Sequence, residues 1–322
     1  MIEEMMTALL TAAVAQRASD IYVLPVVTGY HISLRSVTGV TLWRAVAPGI
    51  GRQLLTYVKF HANMAVSEQR RPQVGALTWS VADTPLELRF STVGDYAGQE
   101  SLVMRLIYSY HTRDLDYLIP EQRTQLLRVA RRRGLMVFAG PTGAGKTTTM
   151  YTVASHLATT AVVLTIEDPV EIKEPRFIQL QVNPQAGMDY DALIKVGLRH
   201  RPDVFVVGEI RDAATAQAAV RAALSGHLVL STLHAQTALG TLQRLRDLGV
   251  PGEQLRQVLT AACYQRVLPR ASQGMAVLLD VVTGAELWQP TQATQERWMR
   301  QLEQAQLNGQ ITAATYQAYR YG

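Results

Sequence analysis

Between positions 140 and 148 the chain reads Gly140-Pro141-Thr142-Gly143-Ala144-Gly145-Lys146-Thr147-Thr148, and the run up to Thr147 fits the pattern G-x-x-x-x-G-K-[ST] in full. Each residue type answers a need of phosphate binding. Gly143 and Gly145 let backbone N–H groups converge on phosphate oxygens, and a helix opening just after them points its positive end at the same spot. Lys146 sets a charge against the β- and γ-phosphates, and the Thr147 hydroxyl is a hard oxygen donor suited to Mg²⁺. All of these residues, from Gly140 to Thr148, are candidate nucleotide contacts.

Two acidic clusters follow. Thr165-Ile166-Glu167-Asp168-Pro169-Val170-Glu171 closes an apolar run at 161–166, and Val206-Val207-Gly208-Glu209-Ile210-Arg211-Asp212 closes another at 204–207. Open α/β sheets do their chemistry at the carboxyl ends of strands. Phosphoryl transfer to water needs a metal held near the phosphates and a group that orients the water, and carboxylates at strand tips can divide those tasks. A further run, 228–233, is bracketed by His227 and His234. Seven residues apart on a strand, they would point to opposite faces. One could then sense a phosphate while the other serves the fold.

The elements that must carry these residues can be read from the apolar pattern. Runs at 135–139, 161–166, 204–207 and 228–233 alternate with helical segments, as in a parallel sheet covered on both faces. A helix is expected from Pro120 until Gly134 stops it, a linker at 109–118, and a mostly helical, Gln-rich tail from Gln289. Upstream, residues 2–15 show helical spacing at Met5, Leu9, Ala12 and Ala13. Alternating runs at 21–24, 30–34, 86–90 and 102–106 then read as strands, with turn signals at Thr38-Gly39, Pro48-Gly49 and Asp83-Thr84-Pro85. Alternation puts Glu87 and Arg89 on one face and Leu86, Leu88 and Phe90 on the other, and Arg105 is outward by the same logic. The expected organisation is an α+β domain at 1–108, a linker, and an α/β domain at 119–322 that ends in a helical region.

Composition narrows the class. At 322 residues, 48% hydrophobic and 18% charged, the chain is too apolar to be disordered. It lacks the roughly 18 consecutive apolar residues of a spanning helix, and Met1-Ile2-Glu3-Glu4 lacks a basic leader. A cytosolic protein is expected. The single cysteine, Cys263, excludes a disulfide framework and a thiolate zinc cage. Of the 31 basic residues only four are lysines, and arginine favours bidentate contacts to phosphate and carboxylate. Arg70-Arg71 and Arg131-Arg132-Arg133 are short clusters without an aromatic-interleaved groove, so no direct nucleic-acid contact is expected.

Taken in order, the phosphate loop, the Glu167 and Glu209 clusters and Gly226-His227-Leu228-Val229-Leu230-Ser231-Thr232-Leu233-His234 resemble the motor ATPases of type II secretion and type IV pili. There they are the Walker A, aspartate-box, Walker B and histidine-box motifs. Ala18-Ser19-Asp20-Ile21-Tyr22, Arg71-Pro72-Gln73-Val74-Gly75, Arg89-Phe90-Ser91-Thr92 and Met104-Arg105-Leu106 extend the likeness, which covers about residues 15–270. The resemblance implies a RecA-like P-loop ATPase domain preceded by a smaller, PAS-like α+β domain. It implies ATP and Mg²⁺ without zinc: Lys146 and Thr147 on phosphate and metal, Glu167 polarising the attacking water, Glu209 holding Mg²⁺ through water, His234 sensing the γ-phosphate. Arg89, Arg105, Arg199 and Arg211 match arginines that surround the nucleotide as domains close.

The chain departs from that family at Tyr22 for histidine, Leu24 for glutamate, His200-Arg201 for Gln-Asp and Lys195 for arginine, and the family's tetracysteine insert has no counterpart. With Gln181-Val182-Asn183-Pro184-Gln185-Ala186-Gly187-Met188 it is most similar to the competence pseudopilus assembly ATPases of Gram-positive bacteria. That likeness implies a cytoplasmic homo-oligomer, a hexameric ring at the cytoplasmic face of the membrane. The ring would act on a polytopic platform protein to build a pseudopilus used in DNA uptake. Two alternatives stand beside it: a pilus retraction ATPase, whose usual methionine and threonine are replaced by Ile210 and Ser231, and a RecA-like nucleic-acid translocase.

Overall fold

Alternation makes most strands of the N-terminal region. In a computed structural model, which describes residues 2–82, 84–108, 115–183, 186–289 and 294–322, the chain divides into two units, Met1–Arg113 and Asp114–Gly322. The first holds six strands: β1 (Asp20–Val26), β2 (Gly29–Ser36), β3 (Gly39–Val46), β4 (Gln73–Val81), β5 (Thr84–Gly94) and β6 (Glu100–Ile107). They pair antiparallel in the order β3-β2-β1-β6-β5-β4. Ile21, Val23, Ile32, Leu34, Leu88 and Met104 share one buried cluster with helices α1 (Ile2–Ala15) and α2 (Pro48–His61). The opposite face keeps the polar half of the alternation.

Three details differ from the sequence reading. Helix α1 buries Leu9 and Ala13 of the expected Met5, Leu9, Ala12 and Ala13, with Met6 and Leu10 beside them, while Met5 and Ala12 are partly buried at the margin of its apolar face. Pro48-Gly49, expected as a turn, opens α2: proline lacks only an N–H that a first helical turn leaves unused. Strands β3 and β4 were not foreseen. Both are sheet edges, and mostly exposed side chains leave β3 without an alternating burial signal.

In the second unit the sheet is mainly parallel and its central strands are buried on both faces. The seven-stranded sheet runs β13-β12-β7-β11-β10-β8-β9. Its members are β7 (Gly134–Ala139), β8 (Val163–Glu167), β9 (Ile178–Gln181), β10 (Val204–Glu209), β11 (Leu228–Leu233), β12 (Leu259–Pro269) and β13 (Met275–Thr283). All pairs are parallel except β12–β13. Every residue of β7, β8 and β11 is buried, which is why those runs lack alternation. Strands β9, β12 and β13 extend the sheet beyond the four expected runs.

Helix α3 (Glu121–Val129) ends before Gly134, which instead opens β7 at φ +122; there a Cβ would lie 2.4 Å from the Val258 carbonyl oxygen. Then come α4 (Lys146–Leu157), α5 (Tyr190–Arg199), α6 (Ala213–Leu224), α7 (Gly240–Asp247), α8 (Gly252–Val258), α9 (Thr294–Leu307) and α10 (Ala313–Tyr319). Trp298 and Leu302 seat α9 in the core. Of the expected linker, residues 109–114 lie outside the described residues, while Tyr117 bridges to Val277 and Leu118 is buried. Among the described residues no helix is long and apolar enough to cross a membrane.

Candidate functional site

The phosphate-loop motif lies where a parallel sheet can use it. Strand β7 ends at Ala139, the loop turns through Gly140–Gly145, and α4 begins at Lys146. Gly140, Gly143 and Gly145 all adopt positive φ. At Gly140 a Cβ would come within 2.4 Å of the Gln265 carbonyl oxygen, whereas a Cβ at Gly143 would meet nothing within 4 Å. The loop is thus closed below and open above. Lys146 folds back so that Nζ donates to the carbonyls of Gly140 at 2.8 Å and Pro141 at 3.0 Å. Burial holds its pKa below the ordinary lysine value, while Glu209 and Glu171 pull the other way. Thr147 and Thr148 are half-buried on the first turn of α4, and Pro141 and Thr142 are exposed.

Glu167 and Glu209 end neighbouring strands, β8 and β10, at the carboxyl edge that also carries the loop. A register shift at Gly208 breaks the β10–β11 ladder just before Glu209, and a Cβ on Gly208 would approach Glu167 Cγ to 3.2 Å. Thr232 Oγ1 donates to the Gly208 carbonyl at 2.8 Å and fixes the bulge. Their surroundings separate the two carboxylates. Glu167 is 2% exposed, and Tyr151 donates its hydroxyl proton to Oε1 at 2.5 Å. Burial pushes its pKa above the usual carboxylate value, and the tyrosine bond opposes that rise. Glu209 instead accepts Arg211 Nε on Oε2 at 2.6 Å, and His234 Nε2 lies 2.9 Å from its Oε1. The Glu209 bond raises the Arg211 pKa.

The two histidines flank β11 at opposite ends. His234 stands beside Glu209, while His227 has its ring edge-on to Phe205 and Nδ1 3.1 Å from the Ala222 carbonyl oxygen. Arg199 is exposed at the last turn of α5, just before β10 begins, so it occupies the amino edge of the sheet, opposite Glu209. Within one chain the expected gathering of Arg199 with the loop does not occur. Arg89 and Arg105 belong to the first unit and face each other across β5 and β6. Arg105 Nε pairs with Asp20 Oδ1 at 3.1 Å.

Two residues at this site escaped the sequence reading. Gln265, fully buried on β12, donates from Nε2 to the Ala144 carbonyl at 2.6 Å and supports the loop from beneath. Tyr151, fully buried on α4, meets Glu167. A glutamine inside an apolar strand was the available signal for the first. The second had none, because a tyrosine on a buried helix face is ordinary. Away from these, Arg176 grips Glu174 and holds its pKa down at about 2, and Ser155 of α4 donates to the same carboxylate at 3.3 Å. The segment between β8 and β9 is thereby pinned to α4.

The family model described as type II/IV secretion system protein matches residues 1–313. The chain is 38% identical over 319 residues to the competence protein ComGA of Streptococcus pneumoniae, covering 97% of itself and 96% of that protein. It is 36% identical over 275 residues to ComGA of Bacillus subtilis, covering 84% and 77%. Among solved structures, the ATPase DotB of Legionella pneumophila superposes with a TM-score of 0.76 at 18% identity, over 98% of this chain and 94% of that one. At that identity the superposition speaks for the fold alone.

Proposed function

The chain belongs to the type II/IV secretion system protein family, and from that membership we propose that it is a cytoplasmic motor ATPase driving assembly of a competence pseudopilus or type IV pilus. The likeness to two competence proteins supports the biological setting. The observation that carries the chemistry is the meeting of the phosphate loop, Glu167 and Glu209 at one edge of one sheet.

The residues present fit ATP with Mg²⁺. The loop is open at Gly143 above the helix N-terminus, and Thr147 and Glu209 offer the hard oxygen donors that Mg²⁺ takes. When bound, that ion supplies positive charge at the phosphate oxygens. Lys146 exchanges its two carbonyl contacts for phosphate oxygens. Glu167 orients the water and accepts its proton as the bond to the γ-phosphorus forms and the bond to the ADP oxygen breaks. His234, held on Glu209, is placed to register whether a γ-phosphate is present, and Arg211 shares that carboxylate.

Arg89 and Arg105 project from a strand pair on the polar face of the first unit. We assign them to the phosphates of a nucleotide once the domains close within a ring, the manner of an arginine finger. A hexameric ring, a PAS-like fold for the first unit and a polytopic membrane platform as partner complete the proposal. Replacing Lys146 with alanine tests it: ATP turnover and pseudopilus assembly should both be lost in a protein that remains folded. Wild-type turnover by Lys146→Ala in a clean preparation would overturn the site.

A further inference from the structure

Tyr151 lies five residues beyond Lys146 on α4, with no exposed surface. Its ring sits 5.5 Å from that of Phe177, tilted by 41°. Three side chains, Gln179, Glu167 and Thr165, meet its hydroxyl. Gln179 on β9 accepts the Glu174 N–H on Oε1 at 2.8 Å, which orients its amide. The amide nitrogen then donates to the Ile172 carbonyl at 2.7 Å and to the Tyr151 oxygen at 3.0 Å. With its acceptor side occupied, the phenol directs its only proton to Glu167 Oε1, at 2.5 Å. Burial and the adjacent Glu167 hold the phenol far above its ordinary pKa, so it stays a donor. The polar chain therefore runs one way, from the backbone of the 172–174 segment through Gln179 and Tyr151 to the carboxylate.

We infer that Tyr151 is a positioning residue for ATP hydrolysis: together with the Thr165 hydroxyl and the Glu171 backbone N–H, which also hydrogen-bond Glu167, its hydroxyl fixes the carboxylate that takes the attacking water's proton. This rests on the assignment of Glu167 to the water. A buried carboxylate without a fixed donor can rotate or take up a proton, and either removes a competent acceptor. A hydrogen bond to a charged group also carries more energy than a neutral one, so its loss should be visible in rate.

The test is steady-state ATPase kinetics and Mg·ATP affinity on the full chain for wild type, Tyr151→Phe, Glu167→Gln and the double variant. Phenylalanine keeps the ring against Phe177 and removes only the hydroxyl. Turnover of Tyr151→Phe should fall about ten- to a hundredfold, while KM and Mg·ATP affinity stay within roughly twofold. The double variant should be no slower than Glu167→Gln, because Tyr151 acts through that carboxylate. Wild-type turnover by Tyr151→Phe beside an inactive Glu167→Gln would remove this inference alone. So would a double variant well below Glu167→Gln, or a joint loss of turnover and nucleotide affinity. Normal turnover by Glu167→Gln would remove the reading of Glu167 and this inference with it.

Discussion

The molecule contains two sheets that present charge in opposite ways. In the N-terminal sheet one face is covered by α1 and α2 and the other carries the polar half of the alternation, so charged residues stand on the strands themselves. Asp20, Arg35, Arg89 and Arg105 fall in one register row across β2, β1, β6 and β5. Arg105 pairs with Asp20, while Arg35 donates to the Tyr22 hydroxyl at 2.6 Å. In the C-terminal sheet both faces are packed, and its functional polar groups gather at the carboxyl edge, where strands end and backbone is free to turn. A sheet with an open face can offer cations broadside; a wrapped sheet can offer chemistry only at its rim.

Breaking the rim should cost most. Glu209→Gln keeps the volume but removes the charge that meets Arg211, His234 and, by assignment, Mg²⁺. Turnover should drop by a hundredfold or more (about 3 kcal/mol in the barrier), with a raised Mg²⁺ requirement measured by titrating the metal. Breaking the open face should cost less and in a different currency. Arg89→Ala and Arg105→Ala should each lower turnover by more than about tenfold without changing nucleotide affinity. Wild-type specific activity should fall on dilution below the concentration at which the ring assembles, measured as rate against protein concentration. Activity constant down to demonstrable monomer, and indifferent to both arginines, would remove the broadside role.

Two further changes should leave the rim untouched and so sharpen the contrast. Lys59 and Glu100 form a buried ion pair at 2.7 Å under the N-terminal sheet, and Lys59 also donates to the Glu68 carbonyl. Lys59→Met strands Glu100, so the first unit should lose about 3–5 kcal/mol in denaturant unfolding followed by hydrogen exchange in β5 and β6. Mg·ATP affinity should stay at wild type. The smallest effect concerns zinc. Cys263 is buried on β12, where burial pushes its thiol up, and one thiol builds no thiolate cage. Elemental analysis should find no stoichiometric zinc, and chelator treatment should be fully reversed by Mg²⁺.

The same contrast governs what the sequence made legible. Predominantly apolar runs closed by Glu167 and Glu209 identify the parallel strands and their carboxyl edge, because complete burial keeps charged residues out until the strand reaches its tip. The glycine loop is legible for a covalent reason: only glycine adopts its positive φ without strain. Edges were harder. Strand β3 exposes most of its side chains and carries no strong period, and β4 alternates only between exposed and half-buried, so none of its side chains marks a core. Pro48 suits a turn and a helix start equally well. Tyr151 and Gln265 were invisible as site residues because their partners, Glu167 and the Ala144 carbonyl, are remote in sequence and met only through packing.

The central claim is that Glu167 serves the water and not the nucleotide. The most direct measurement follows one preparation of Glu167→Gln in two ways, Mg·ATP binding by calorimetry and phosphate release in a single turnover with excess protein. Binding should stay within a few-fold of wild type, with phosphate release slowed by two orders of magnitude or more. Phosphate release at the wild-type rate from bound Mg·ATP would contradict that claim.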